Sequence, residues 1–147
     1  MSREIKFRAL RDDISDCTFK FGSLLIMPDG TPRIVAEVDD DTGYITYFTC
    51  IKGTEGEYTG LKDKNGKEIY EGDVVRLISG GSRWNREACE VVFLNGSFQF
   101  NRPDWPYPCG FITYAMSCSE RYIIDDHSEL CSQIEVIGNI HENPELI

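Results

Sequence analysis

The stretch YTGLKDKNGKEIYEGDVV, from Tyr58 to Val75, decides how this chain is read. Within it, Lys64-Asn65-Gly66-Lys67 is a turn, because Asn-Gly tolerates the positive φ angles of a type I′ connection. Glu71-Gly72-Asp73 turns the chain again, and Val74–Ile78 is apolar enough for a buried strand. The charges between Lys62 and Asp73 invite a search for chemistry. Their spacing places them on turns, so the segment reads as two turns and the start of a strand, with no active site.

The same grammar runs outward in both directions. Ile5, Phe7 and Ala9 alternate with Lys6 and Arg8, the period of a strand. Phe19, Phe21 and the run Leu24–Met27 lead into Pro28-Asp29-Gly30, a turn by composition, and Arg33–Val38 reads as the returning strand. Asp39-Asp40-Asp41-Thr42-Gly43 is the next turn, followed by the β-rich run Tyr44–Ile51. Gly53-Thr54-Glu55-Gly56 is a loop and the expected boundary of an N-terminal β segment. Further on, Ala88–Leu94 and Ser97–Asn101 flank Asn95-Gly96 and predict a hairpin. Phe111–Ala115, Tyr122–Ile124 and Ile134–Ile140 are further strands by composition. Ser128–Ser132 alone looks helical, for about one turn. Short strands at roughly ten-residue spacing point to a small β-barrel or a curled sheet.

Three strings also resemble the YopX family of phage and prophage proteins: REIKFRA at Arg3–Ala9, the Tyr58–Val75 segment, and IEVIGNIHENPEL at Ile134–Leu146. The family commonly continues the first string with Trp-Asp, where this chain has Leu10-Arg11, a change of local packing. The resemblance implies a mainly β fold on a small SH3-like barrel, a phage or prophage origin and a bacterial cytoplasmic setting. It implies no established activity and carries over no catalytic residue. The expected organisation is an N-terminal β segment over residues 1–57 packed on a YopX-like small barrel over 58–147, or one integrated domain, with minimal helix. The shared residues have structural uses: Gly66 and Gly72 for unusual backbone angles, Gly138 for a bulge or close approach, and Pro144 to fix the tail.

Bulk properties narrow the function. The chain has 147 residues, 41% of them hydrophobic, enough for a real core. Its formal charge of −10 opposes counterion-release binding to nucleic acid and attraction to an anionic membrane surface. From Asp104 onward there are eight acidic residues and one base, Arg121, which is either a solvated face or a docking surface for a basic partner. No apolar run reaches the ~20 residues of a membrane helix. The start MSREIKFRAL lacks a signal-peptide core, so a cytoplasmic location and free thiols at the six cysteines are expected.

The possible chemistry is limited. Cys109, Cys118, His127 and Cys131 have zinc-ligand identities, but their spacing contains no Cys-x2-Cys knuckle. His127 and Cys131 stand four apart, and a nucleophile pair there lacks a recognisable orienting group and oxyanion hole. Solvent exposure is expected for His141. Gly80-Gly81-Ser82 lacks the Gly-Lys-Ser/Thr ending of a phosphate loop. Arg83-Trp84-Asn85-Arg86 is the best local binding feature, since two bases around an aromatic can stack a base and touch a phosphate. Trp105 and Tyr107 would extend that platform, or line a groove for a proline-rich peptide; the plainer use of both tryptophans is to cover the core.

The reading that fits best is a non-catalytic binding or assembly module acting on a host or phage protein, with no cofactor. A nucleic-acid module using the Arg83–Arg86 loop is the alternative, disfavoured by net charge. An enzyme or zinc protein built on the Cys/His cluster ranks last. Pairing between sheet edges of two copies makes a homo-oligomer a further expectation.

Overall fold

The computed structural model describes residues 3–77, 88–102, 109–110 and 134–147. By contact the chain divides into two units, Met1–Tyr58 and Thr59–Ile147. It is mainly β, with a single turn of 3-10 helix at Pro144–Leu146 among the described residues.

The first unit contains β1 (Phe7–Leu10), β2 (Phe19–Ile26), β3 (Pro32–Val38) and β4 (Ile45–Thr49), and β5 (Gly56–Lys62) begins in it. All are antiparallel in the order β4-β3-β2-β1-β5, and β5 continues past Tyr58 to pair with β6 (Glu68–Tyr70). The turns follow composition. Gly30 and Gly43 take positive φ at the β2–β3 and β3–β4 connections. At the second of these, the Asp39 carboxylate accepts hydrogen bonds from the Asp41 and Thr42 amides and the Thr42 hydroxyl, an Asx-type turn. Alternation sorts the side chains. Ala9, Ile34 and Cys50, joined by Phe7, Leu24 and Phe48, form the apolar interior. At Gly22 (φ +154°) the backbones come so close that a Cβ would lie 2.1 Å from the Val35 carbonyl oxygen.

This sheet curls. Beyond β4 the Ile51 amide donates to Leu10 (2.8 Å) and the Asp12 amide donates to Thr49 (2.9 Å), around a single Arg11–Cys50 bridge. The end of the fourth strand thereby meets the end of the first.

The second unit contains β7 (Asp73–Leu77), β8 (Ala88–Leu94), β9 (Ser97–Asn101), β10 (Cys109–Gly110) and β11 (Ile134–Asn139), in the antiparallel order β10-β9-β8-β7-β11. Ile69, Val75, Cys89, Val91, Phe100 and Ile134 are its buried core. Each fully covered aliphatic side chain contributes about 1.5–3 kcal/mol, offset by chain entropy. Among the described residues neither sheet closes into a barrel, so the architecture is two antiparallel sheets.

Strand boundaries at β8 and β9 coincide with the sequence expectation. Asn95 (φ 53°) and Gly96 (φ 81°) both take the left-handed conformation of a type I′ turn. The turn expected at Lys64–Lys67 is different. Only Gly66 has positive φ, at 81°. The Gly66 amide donates to the Asp63 carbonyl and the Asp63 amide to the Lys67 carbonyl, which makes a longer loop closed by a glycine bulge. The reason is the Asp63 carboxylate, which accepts from the Asn65 and Lys67 amides with one oxygen. The Tyr58–Val75 segment also holds more than two turns and a strand start, since most of β5 and all of β6 lie in it.

The Ile134–Leu146 string works as scaffold. Its register against β7 shifts between Val136 and Gly138, a bulge. A Cβ on Gly138 would lie 2.6 Å from both Asn143 Oδ1 and Leu146 Cδ1, so any other residue there makes these two tail side chains shift. Asn139 Oδ1 accepts from the His141 and Glu142 amides. His141 is half-buried, not solvated, because the tail turn brings its Nε2 to 3.6 Å from where a Gly72 Cβ would stand. The expected elements Phe111–Ala115, Tyr122–Ile124 and Ser128–Ser132 lie outside the described residues.

The second Asp63 oxygen accepts from the Val136 amide at 3.0 Å, so this carboxylate also ties the loop to β11. Burial pushes its pKa up, but the Val136, Lys67 and Asn65 amides outweigh that and hold it below the ordinary 3.8. Asp63→Ala strands three amide donors and should cost about 2–4 kcal/mol in urea unfolding at pH 7. The depressed pKa makes this contribution full above 3.8 and lost as pH falls through the folded value. The gap to wild type should therefore shrink below about pH 4; a gap unchanged with pH would refute the charge's role.

Candidate functional site

Arg83, Trp84, Arg86, Trp105 and Tyr107 lie outside the described residues, as do Cys118, His127 and Cys131. Cys109 opens β10, with its backbone opposite Phe100. Among the described residues no group of three or more His, Cys, Asp or Glu side chains has an arrangement suited to a metal ion. Cys50 and Cys89 are buried thiols and Cys17 is exposed. Burial raises the Cys50 pKa, which favours the unreactive protonated form.

A different surface stands out, on the outer face of the first unit's sheet. Residues directly opposite one another share a face. Arg8 lies opposite Phe21, Ser23 opposite Val35, and Leu25 opposite Arg33. Arg33 lies opposite Thr49, Val35 opposite Tyr47, and Val38 opposite Ile45. These residues belong to the face opposite the Ala9–Ile34 core. Phe21, Leu25 and Tyr47 are about half exposed, and Val38 and Ile45 slightly more. Single exposed apolar residues need no explanation, but five on three adjacent strands form a patch.

Two cations belong to this face, each laid on a ring. The Arg33 guanidinium is 4.7 Å from the Tyr47 ring centre and the Arg8 guanidinium 4.4 Å from that of Phe19. Arg33 Nε is buried and makes no hydrogen bond among the described residues. On the inner side, Arg11 and Lys20 reach over Phe48 and both bond Asp16 at 3.0 Å. Hydrogen bonds from the Thr18 hydroxyl and Lys20 hold the Asp16 pKa down to about 2. Those inner cations are therefore engaged, which leaves the outer face as the one of apolar character with a stacked arginine.

The family model for YopX protein matches residues 29–147, more than half of the chain. The chain belongs to the YopX family. Its fold is similar to that of protein EF1440 from Enterococcus faecalis, at 25% identity and a TM-score of 0.55, with 99% of each chain covered. It is also similar to protein yopX from Bacillus subtilis, at 17% identity and a TM-score of 0.55, with 99% of this chain and 96% of that one covered. No curated protein matches the chain. The YopX match spans β3 onward, so most of the outer face, including Arg33 and Tyr47, lies within it.

None of the outer-face residues was singled out from sequence as a site. The available signal was the uncharged run Ile45–Thr49 directly after an Asp-rich turn, which reads equally well as a core strand.

In the second unit Glu90 sits opposite Asn101 on β9. Burial first, then the nearby Glu71 charge, raises the Glu90 pKa above 4.5, and the Asn101 hydrogen bond only partly opposes this. For a raised carboxyl, stability is full below 4.5 and is lost as pH rises through the folded value. Glu90→Gln should thus raise the melting temperature at pH 7 and leave it unchanged near pH 4. Equal shifts at both pH values would show that packing, not charge, is responsible.

Proposed function

We propose that this YopX-family chain is a non-catalytic binding module of phage or prophage origin, acting in the bacterial cytoplasm on a protein partner. The observation that supports this is the exposed apolar outer face of the first unit, Phe21, Leu25, Val38, Ile45 and Tyr47 around the stacked Arg33. Covering such a patch returns roughly 25 cal/mol per Å² of apolar surface. Association costs about 4–15 kcal/mol, so the partner must also supply polar complements. The net charge of −10 favours a protein over a nucleic-acid partner. No helix among the described residues is long and apolar enough to cross a membrane. Residues 58–147 are proposed as a small SH3-like barrel, a reading that the antiparallel order of the second sheet and its bulge at Gly138 support.

The test is capture of the tagged protein from a bacterial host, with and without nuclease, beside a Phe21→Asp/Leu25→Asp double variant. Both substitutions sit on the exposed face of β2, so the fold should survive, as circular dichroism will report. The expected outcome is a nuclease-resistant partner whose recovery falls about tenfold in the folded double variant. Recovery that nuclease abolishes would transfer the function to nucleic acid. Undiminished recovery by the double variant would remove the outer face.

A further inference from the structure

We infer that the free edge of β4 accepts an extended, alternately apolar segment with basic ends, added as an antiparallel strand. This deepens the protein-binding reading and rests on it. β4 is the terminal strand of its sheet, and among the described residues nothing pairs on its outer side from Ile45 to Phe48. The Cys50 amide donates inward to Pro32, and in an antiparallel ladder the direction alternates residue by residue. Tyr47 therefore presents both its N–H and its C=O outward. Beyond the β3 bulge the Tyr44 carbonyl accepts inward from Asp39, so Ile45 also points both groups outward. At Thr49 the outward carbonyl already accepts from Asp12, so the open part of the edge ends before it.

Edges are normally blunted by lysine, proline or cover. Ile-Thr-Tyr-Phe-Thr has neither lysine nor proline. The second unit shows what cover looks like. Along β11 the Val136 amide donates to Asp63 and the Ile134 carbonyl accepts from the Lys64 amide, so that edge is occupied by a loop. From Ile45 to Phe48 the β4 edge has no such cover among the described residues, while Ile45 and Tyr47 stand half-exposed beside it.

Charge selects the occupant. The Asp39–Asp41 turn leads into β4, and the exposed Asp40 and Asp41 have no ion pair among the described residues. Asp12, also exposed, is hydrogen-bonded through its amide to the far end of the edge, at Thr49. A segment lying along β4 therefore has acid at both ends. A second copy fits badly. Antiparallel pairing about Tyr47 brings one copy's Asp39–Asp41 turn towards the other's Asp12, between chains that each carry −10. A partner strand with Lys or Arg at its ends meets opposite charge instead.

The probe is the labelled peptide Lys-Lys-Val-Thr-Val-Thr-Val-Lys-Lys, compared with a Glu-flanked counterpart and a version N-methylated at the valines. Binding is read by fluorescence anisotropy, and amide exchange locates the contact. Expected are slowed exchange at Ile45 and Tyr47, binding about tenfold weaker for the Glu-flanked peptide, and loss for the methylated one. Tyr47→Pro, which removes an outward N–H, should weaken the Lys-flanked peptide about tenfold. The methylated peptide keeps the test valid even if that variant does not fold. Equal binding of the methylated or Glu-flanked peptide overturns the proposal, as does unslowed exchange at Ile45 and Tyr47. A concentration-dependent dimer that Tyr47→Pro dissolves assigns the edge to a second copy and also overturns it. The peptide probes the edge and the Phe21→Asp/Leu25→Asp capture probes the face, so either can fail alone.

Discussion

The Asp63 carboxylate joins two parts of the chain 73 positions apart, and the arrangement of the second unit depends on it. One oxygen organises the loop between β5 and β6 and the other accepts the Val136 amide of β11. A charged acceptor with three backbone donors is among the stronger polar arrangements available to a small domain. It does two jobs with one side chain. It dictates a loop that a bare Asn-Gly pair would not choose, and it places that loop against the outer edge of β11. The neighbouring Lys64–Glu135 ion pair, at 3.2 Å, adds to the same seam. That pair is partly exposed and contributes little by itself.

The register of β11 follows from this tie and from Gly138. With Val136 fixed on Asp63 and the tail folded over Gly138, the extra residue Ile137 has to bulge. The bulge re-aims the strand end so that the Ile140 amide reaches the Gly72 carbonyl at 2.9 Å, while the Gly72 amide donates to Val91. The middle and final strings of the family resemblance are therefore halves of one structural device. Asp63 and Asp73 in the middle string both accept from backbone amides.

Local features were legible from sequence and long-range ones were not. The Asn95-Gly96 hairpin was readable because both residues set their own φ angles. Most of β5 was missed because Gly60, at φ 87°, interrupts the alternation that marks a strand. The loop type at Asn65-Gly66 was misjudged because a side chain two positions earlier competes for the backbone. The outer face was harder still. In Phe19-Lys20-Phe21 alternation puts rings on one side and lysine on the other, and composition assigns the rings to the core. The register reverses this: Lys20 lies opposite the fully buried Ala9, and Phe21 faces out. Lys20 is tolerated inside because Phe48 and Asp16 receive it. A period of two shows which residues share a face but not which face is covered.

That reversal links the fold to the surface. The inner side of the first unit's sheet is filled by Ala9, Ile34 and Cys50, with Phe7, Leu24 and Phe48 packed against them. Phe21 and Leu25 of β2 and Ile45 and Tyr47 of β4 fall on the other side, where they are about half exposed. The acidic turns solvate the margins of that surface and oppose pairing between copies, without adding charge to the patch itself. The strand Ile45–Thr49 itself carries no charged side chain. The acid and the apolar face are thus segregated, with charge on the turns and apolar side chains on the strands between them.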